Sequence, residues 1–219
     1  MAGRHLHDAD PPQADAAQRR RTVLEAGLSG DPSAGTPIAR RHLEDSEPAV
    51  RAAALGALAH LGTLESPTLA GALGDRDPAV RRRALELCVD AGLAPTLPLG
   101  LLDDPDPTVV EVACWVAGEL VDAADRSVHA LAGIAGNHDD PLCREAAVAA
   151  LGALGHPDGL VAVLTALDDR PQIRRRAVLA LAPFEGSEVD AALERALGDR
   201  DWQVRQAAED LGAEGPGAD

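Results

Sequence analysis

A short segment recurs six times along the chain at nearly regular intervals. Its anchor residues are Pro48, Pro78, Pro107, Pro141, Pro171 and Trp202. They follow one another after 30, 29, 34, 30 and 31 residues. A period near thirty residues is typical of an array of supersecondary units, in which each unit packs mainly against its neighbours. The sequence therefore predicts a repeat array, with one longer interval before the fourth anchor.

Each anchor is predicted to begin a helix. Asp or Glu precedes the proline in four repeats, where a side-chain oxygen is able to cap the helix and proline suits the first turn; these residues are Glu47, Asp77, Asp106 and Asp140. The second and sixth residues after each anchor are apolar and share one helical face. We expect that face to be buried; it comprises Val50, Val80, Val109, Cys143, Ile173 and Val204, then Ala54, Ala84, Ala113, Ala147, Ala177 and Ala208.

A shorter apolar helix is predicted before each anchor. The segments are 36–44, 66–73, 97–102, 125–136, 159–167 and 188–197. Glycine closes three of the anchor helices at a position that favours left-handed backbone, namely Gly62, Gly92 and Gly155. The repeating unit is therefore a helix, an acidic turn and a second helix.

The composition favours an all-α fold and restricts the chemistry. The 219 residues include 44 alanines but one Phe, two Trp and no Tyr, so small side chains must fill the core. All 20 basic residues are Arg, which excludes a Schiff-base or phosphate-loop lysine. A net charge of -16 argues against nucleic acid and anionic lipid as partners.

Location and source are predicted from weaker signals. The three cysteines, Cys88, Cys114 and Cys143, have no paired spacing and are expected to be free thiols. No stretch has the length and apolarity of a signal peptide or membrane span, so the protein is predicted to be cytoplasmic. Abundant Ala and Arg without Lys indicate a GC-rich bacterial genome.

The recurring pattern D-x-x-P-x-V-R-x-x-A with a trailing L-G resembles the HEAT-like repeats of the phycobilin-lyase type. The resemblance implies a right-handed α-solenoid of about six to seven helical hairpins over residues 16–212, between disordered tails at 1–15 and 213–219. Residues 18–28 resemble the second helix of a degenerate first unit. The resemblance also implies that the first Arg of each repeat pairs with turn acids such as Asp75, Asp104 or Asp168. Val110, in place of that Arg, and Trp202, in place of proline, depart from the pattern.

Second helices line the concave face in such arrays, and this places the candidate site. Offsets of four, eight and twelve residues from the anchors bring Trp115 between two glutamates one turn away on either side. An indole face and carboxylates both favour a positive charge, so this groove is predicted to bind a cation. A Trp that merely fills a gap between repeats is the alternative interpretation. The candidate binding residues are Trp115, Glu111, Glu119, Glu86, Asp90, Arg82 and Arg175.

The function predicted from these features is a non-catalytic scaffold or adaptor whose acidic groove binds a protein partner with a basic surface. No catalytic residue, cofactor or metal site is predicted, and His138 and His156 lie in turns where histidine usually caps. The alternative is an enzyme acting on a small cationic or alkylated substrate, similar to HEAT-like DNA glycosylases, in which Trp115 and Glu119 would line the groove, or to a lyase. A pocket of a few hundred Å³ at Trp115 would favour the enzyme. An open trough would favour the adaptor.

Overall fold

The structure is a computed structural model that describes residues 15–90 and 99–213. These two ranges hold α-helices and short 3-10 helices and contain no strand. The chain divides into two compact units, residues 1–72 and 73–219. The helices follow one another as the hairpins of an α-solenoid, and the repeat thus folds as predicted. The tails predicted at 1–15 and 213–219 lie outside the described residues, apart from Asp15 and Ala213.

The first unit contains three helices and most of a fourth: α1 (Ala16–Leu28), α2 (Pro32–Arg41), α3 (Pro48–His60) and α4 (Ser66–Leu73). Its core is formed by fully buried Val23 of α1, Ala39 of α2 and Val50 of α3. Helix α1 corresponds to a second helix, because Arg19 reaches the turn before α3 and donates from Nε to Asp45 Oδ2 at 2.7 Å. The prediction that residues 18–28 take the place of a second helix is therefore confirmed.

The second unit contains the remaining helices. They are α5 (Pro78–Asp90), α6 (Pro107–Glu119), α7 (Ala124–Asn137), α8 (Pro141–Leu154), α9 (Leu160–Ala166), α10 (Pro171–Ala180), α11 (Ser187–Leu197) and α12 (Trp202–Ala213). Short 3-10 helices at Leu99–Asp103, Val121–Ala123 and Pro157–Gly159 connect some of them. In the third repeat the helix predicted at 97–102 is a 3-10 helix from Leu99, and residues 97 and 98 lie outside the described residues. The longer third interval, before Pro141, holds the 3-10 helix Val121–Ala123 and the 14-residue α7.

All six anchors begin a helix, and three of the four predicted acidic caps are confirmed. Asp77, Asp106 and Asp140 each accept a hydrogen bond from the N–H two residues later, at 2.8–2.9 Å. The prediction for Glu47 is wrong, since its side chain makes no capping hydrogen bond. Its own N–H instead donates to Asp45 Oδ1 at 3.0 Å. Glutamate is one methylene longer than the short acceptors that N-cap positions prefer.

The predicted buried face is confirmed in every repeat. The apolar residue two positions after each anchor and the alanine six positions after it are at most 3% exposed in all six second helices. Gly62 and Gly155 adopt positive φ values of 67° and 58°, as expected for glycines that close a helix. Gly92 lies outside the described residues.

Arginines of the second helices bind aspartates in the turn of the following repeat. Arg81 donates from Nε and Nη2 to the two carboxylate oxygens of Asp104 at 2.8 and 2.7 Å. Arg144 and Arg174 bind Asp169 and Asp199 with the same fork. The pairing predicted for Asp104 is confirmed. The prediction for Asp168 is wrong, because the neighbouring Asp169 takes the arginine and Asp168 is exposed.

These pairs form an arginine–aspartate ladder along the array. At one pair, both the arginine and the aspartate are replaced by other residues. Val110 occupies the arginine position of α6 and is buried. The matching acid position, three residues before Pro141, is His138, whose Nδ1 accepts from the Asp140 N–H at 3.0 Å. Because both partners differ together, the substitution at Val110 leaves no buried carboxylate without its guanidinium.

No helix within residues 15–90 and 99–213 is both long and apolar enough to cross a membrane.

Candidate functional site

A groove runs across four second helices of the second unit. Helix α5 contributes one residue, α6 three, α8 four and α10 one, and the volume of this open groove is about 610 Å³. We call this the Trp115 groove. It is lined by Glu86, Glu111, Val112, Trp115, Leu142, Glu145, Ala146, Ala149 and Arg176.

The lining follows from the register of the repeat. The residues lie one, four, five or eight positions after their anchors, and on a helix these offsets form one face. The buried face lies two and six positions after the anchor, so the groove occupies a neighbouring stripe of the same helices. In α8 this stripe carries Ala146 and Ala149, whose small side chains form the floor of the groove. A depression therefore forms between larger side chains on either side.

Trp115 is the largest apolar side chain of the groove. It remains 43% exposed, and Leu142 from the next second helix is 54% exposed. The indole face and the neighbouring aliphatic side chains provide an apolar surface on which a flat cationic or hydrocarbon group is able to pack.

Two of the three carboxylates of the groove lie close to an arginine of the chain, and the third does not. Glu86 accepts a hydrogen bond from Arg83 Nη1 at 2.8 Å, three residues earlier on the same helix. Glu145 Oε1 lies 3.6 Å from Arg176 Nε of α10. Glu111 is exposed and its carboxylate has no ion pair among the residues that the structure describes. A cation brought by a ligand thus gains a new ion pair at Glu111, whereas at the other two glutamates it competes with an arginine.

The structure brings together three of the seven predicted site residues. Glu86, Glu111 and Trp115 line the same groove. Glu119 is exposed at the end of α6, and Arg82 and Arg175 are exposed on α5 and α10, all three outside the lining. Asp90 is the last residue of α5, and its side chain lies outside the described part of the chain.

Four apolar residues and two charged ones were not among the predicted site residues: Val112, Leu142, Ala146, Ala149, Glu145 and Arg176. Glu145 and Ala149 lie four and eight residues after their anchor, at offsets that the sequence analysis considered, but they were not chosen as site residues. The offsets of one and five residues were not considered. They follow from helical geometry, since residues three and four apart share a face.

The remaining polar candidates have structural roles. His156 Nδ1 accepts from the Asp158 N–H at 3.2 Å, and Nε2 lies 2.8 Å from Asp125 Oδ1. Nowhere in the described ranges do three His, Cys, Asp or Glu side chains group closely enough to hold a metal ion. Burial raises the pKa of Cys114 to about 12 and that of Cys143 to about 11. Thiols with such values are not nucleophiles at neutral pH.

Comparison with known structures identifies the fold. The YibA protein of Escherichia coli is similar at 15% identity with a TM-score of 0.60, over 91% of this chain and 75% of that one. A designed armadillo repeat protein in complex with the peptide (KR)4 is similar at 17% identity with a TM-score of 0.54, over 90% and 98%. A chain from the structure of Kap95p with RanGDP is similar at 14% identity with a TM-score of 0.60, over 90% and 32%.

At the level of sequence, a comparison with curated proteins gives no match. The family model for HEAT repeats, in contrast, matches residues 11–90 and 94–182, which is well over half of the chain. The matched segments contain five of the six anchors and all of the groove residues. The chain therefore belongs to the HEAT repeat family.

Proposed function

We propose that the protein is a non-catalytic interaction scaffold that binds a basic segment of a partner protein in the Trp115 groove. The observation that carries this proposal is the pairing of an exposed indole, Trp115, with a carboxylate one turn away, Glu111, that has no ion pair in the described residues. Such a pair offers a cation both a ring face and a counter-ion. The array of packed helices supports it, because a rigid surface loses little entropy when a partner docks.

The charge distribution favours a basic partner. Residues 73–219 contain 27 of the 36 acidic residues but only 13 of the 20 arginines, which makes the net charge of this unit -14. A field of that sign steers cationic segments toward the surface and repels nucleic acid. The designed armadillo protein of similar fold holds a (KR)4 peptide, and this supports a basic peptide as the ligand class for a groove of this architecture.

The experiment that tests the proposal measures (KR)4 binding to the whole chain by isothermal titration calorimetry. Trp115→Ala is expected to weaken binding by about 2 kcal/mol, or roughly 30-fold, because an exposed Trp at the centre of a site is a typical hot spot. Trp202→Ala is the matched control, since Trp202 is 65% exposed at the start of α12, away from the groove. Equal affinities of wild type and Trp115→Ala would refute the placement.

A second candidate function is an enzyme that takes a small cationic substrate in the same groove. The volume of about 610 Å³ favours it, because small-molecule sites usually measure about 300–1,000 Å³. The open rim, where Trp115 and Leu142 keep about half of their surface exposed, favours the scaffold.

The two functions are separated by titrating free arginine and (KR)4 against a Trp202→Phe variant, so that Trp115 alone reports by fluorescence. A scaffold is expected to bind the peptide far more tightly than the amino acid, whereas a small-substrate enzyme is expected to bind both alike.

A further inference from the structure

Two arginines of the chain itself neutralise part of the Trp115 groove, and they do so in different ways. Arg83 and Glu86 lie three residues apart on α5 and share a hydrogen bond of 2.8 Å. Arg176 comes from α10 and approaches Glu145 of α8 at 3.6 Å, without a hydrogen bond between the two side chains. Of these two arginines, only Arg176 lines the groove.

We propose that Arg176 competes with the basic ligand for Glu145. The Arg176 guanidinium occupies the Glu145 end of the groove in the free protein, and it thereby sets the affinity for segments with more than one cation. This inference rests on the proposed function. In the free protein the Arg176 guanidinium stands where a ligand cation would bind Glu145. A ligand binds its first cation at Glu111 and Trp115, and its second cation must displace Arg176.

The geometry makes Arg176 the arginine that is displaced. Exposure does not distinguish the two pairs, because Arg176 and Glu145 keep 39% and 26% of their side-chain surface exposed and Arg83 and Glu86 keep 37% and 35%. Water screens the attraction in both, and the difference lies in the separation of the charged groups. A separation of 3.6 Å without a hydrogen bond is loose compared with a charge-assisted bond near 2.8 Å. Arg176 is also long enough to swing away from α8 while its backbone stays in α10. Arg83, in contrast, holds Glu86 within one helix turn and is not expected to yield.

The test compares two neighbouring arginines of α10. Arg176→Gln is expected to tighten (KR)4 binding about fivefold, because it frees Glu145 and removes a like charge from the groove. Arg175→Gln removes the same charge one residue earlier, at an exposed position outside the lining. This control measures the effect of net charge alone, and a gain of less than about twofold is expected.

A double variant shows whether Glu145 is responsible. Glu145→Gln in the Arg176→Gln background is expected to return the affinity for (KR)4 to about the wild-type value. The inference is overturned if Arg176→Gln binds no more tightly than Arg175→Gln, or if the gain persists without Glu145. Thermal unfolding of each variant, followed by circular dichroism, confirms that the fold is retained.

The outcome also separates this inference from the proposed function. If Trp115→Ala leaves (KR)4 binding unchanged, or if the wild type does not bind the peptide, the scaffold proposal fails and the role of Arg176 fails with it. If Trp115→Ala weakens binding while Arg176→Gln and Arg175→Gln behave alike, only the role of Arg176 is refuted.

Discussion

At the scale of single residues, glycine and alanine set how closely the second helices approach. A Cβ placed on Gly152 of α8 would lie 2.6 Å from the Ala180 Cα of α10. The same relation recurs one repeat earlier, where a Cβ on Gly118 would lie 3.0 Å from the Ala150 Cα. In both pairs the glycine is eleven residues after its anchor and the alanine nine residues after the next one. The abundance of small residues is therefore a packing requirement of the array.

Gly152→Ala is expected to destabilise the protein by about 1–3 kcal/mol, because the new methyl group overlaps backbone that cannot move without shifting a helix. Gly133→Ala on α7 is the matched control. A Cβ on Gly133 meets nothing within 4 Å, so this change is expected to stabilise the helix by about 0.5–1 kcal/mol. Urea unfolding of both variants measures the difference. Equal effects of the two substitutions would contradict the close approach.

At the scale of helices and turns, arginine–aspartate pairs connect several neighbouring repeats within each unit. Arg174 is 6% exposed and binds both carboxylate oxygens of Asp199, and its Nη1 donates to the Asp169 carbonyl at 2.8 Å. Arg205 holds the equivalent position in α12. It donates to the Asp199 carbonyl at 2.7 Å, and in the described part of the chain it makes no ion pair. The two arginines thus differ by one buried ion pair.

Arg174→Gln is expected to lower the free energy of unfolding by about 3 kcal/mol, because it leaves Asp199 largely buried without its guanidinium. Arg205→Gln removes a hydrogen bond to a carbonyl and is expected to cost about 1 kcal/mol. Chemical denaturation provides both values. If the ion pair with Asp199 contributed nothing to stability, the two variants would lower the free energy of unfolding by similar amounts.

The helices and the ladder were predictable to different degrees. The anchors Pro48 to Trp202 and the buried alanines recur in six copies, so a helix that is weakly predicted in one repeat is supported by the equivalent positions of the others. The partner of Arg144 was not predictable, because Asp168 and Asp169 are adjacent acids and only the path of the turn decides between them. Of the residues that line the groove, Glu86, Glu111 and Trp115 were among the predicted site residues. Arg176 was missed because its approach to Glu145 depends on how α10 packs beside α8, which no single-helix pattern contains.

At the scale of the whole chain, the ladder couples stability to pH. Hydrogen bonds from Arg19, Arg144 and Arg174 lower the pKa values of Asp45, Asp169 and Asp199, respectively, below their ordinary value of 3.8. Carboxyl groups of this kind stabilise the fold at every pH above 3.8. As the pH falls below that value, the unfolded chain takes up protons that the folded chain does not. The free energy of unfolding then decreases until the folded aspartates are protonated as well.

We therefore expect the urea midpoint to be nearly constant from pH 7 to about pH 5 and to fall steeply between about pH 4 and pH 2. Asp199→Asn removes one of these groups, so its unfolding curve is expected to lie below that of the wild type at pH 7 and to approach it as the pH falls. Asp139→Asn is the control, because Asp139 is exposed and no arginine side chain binds its carboxylate in the described ranges. Parallel profiles for wild type and Asp199→Asn would show that this carboxylate has the same pKa in the folded and unfolded chain, and would remove the Arg174–Asp199 pair as a source of acid sensitivity.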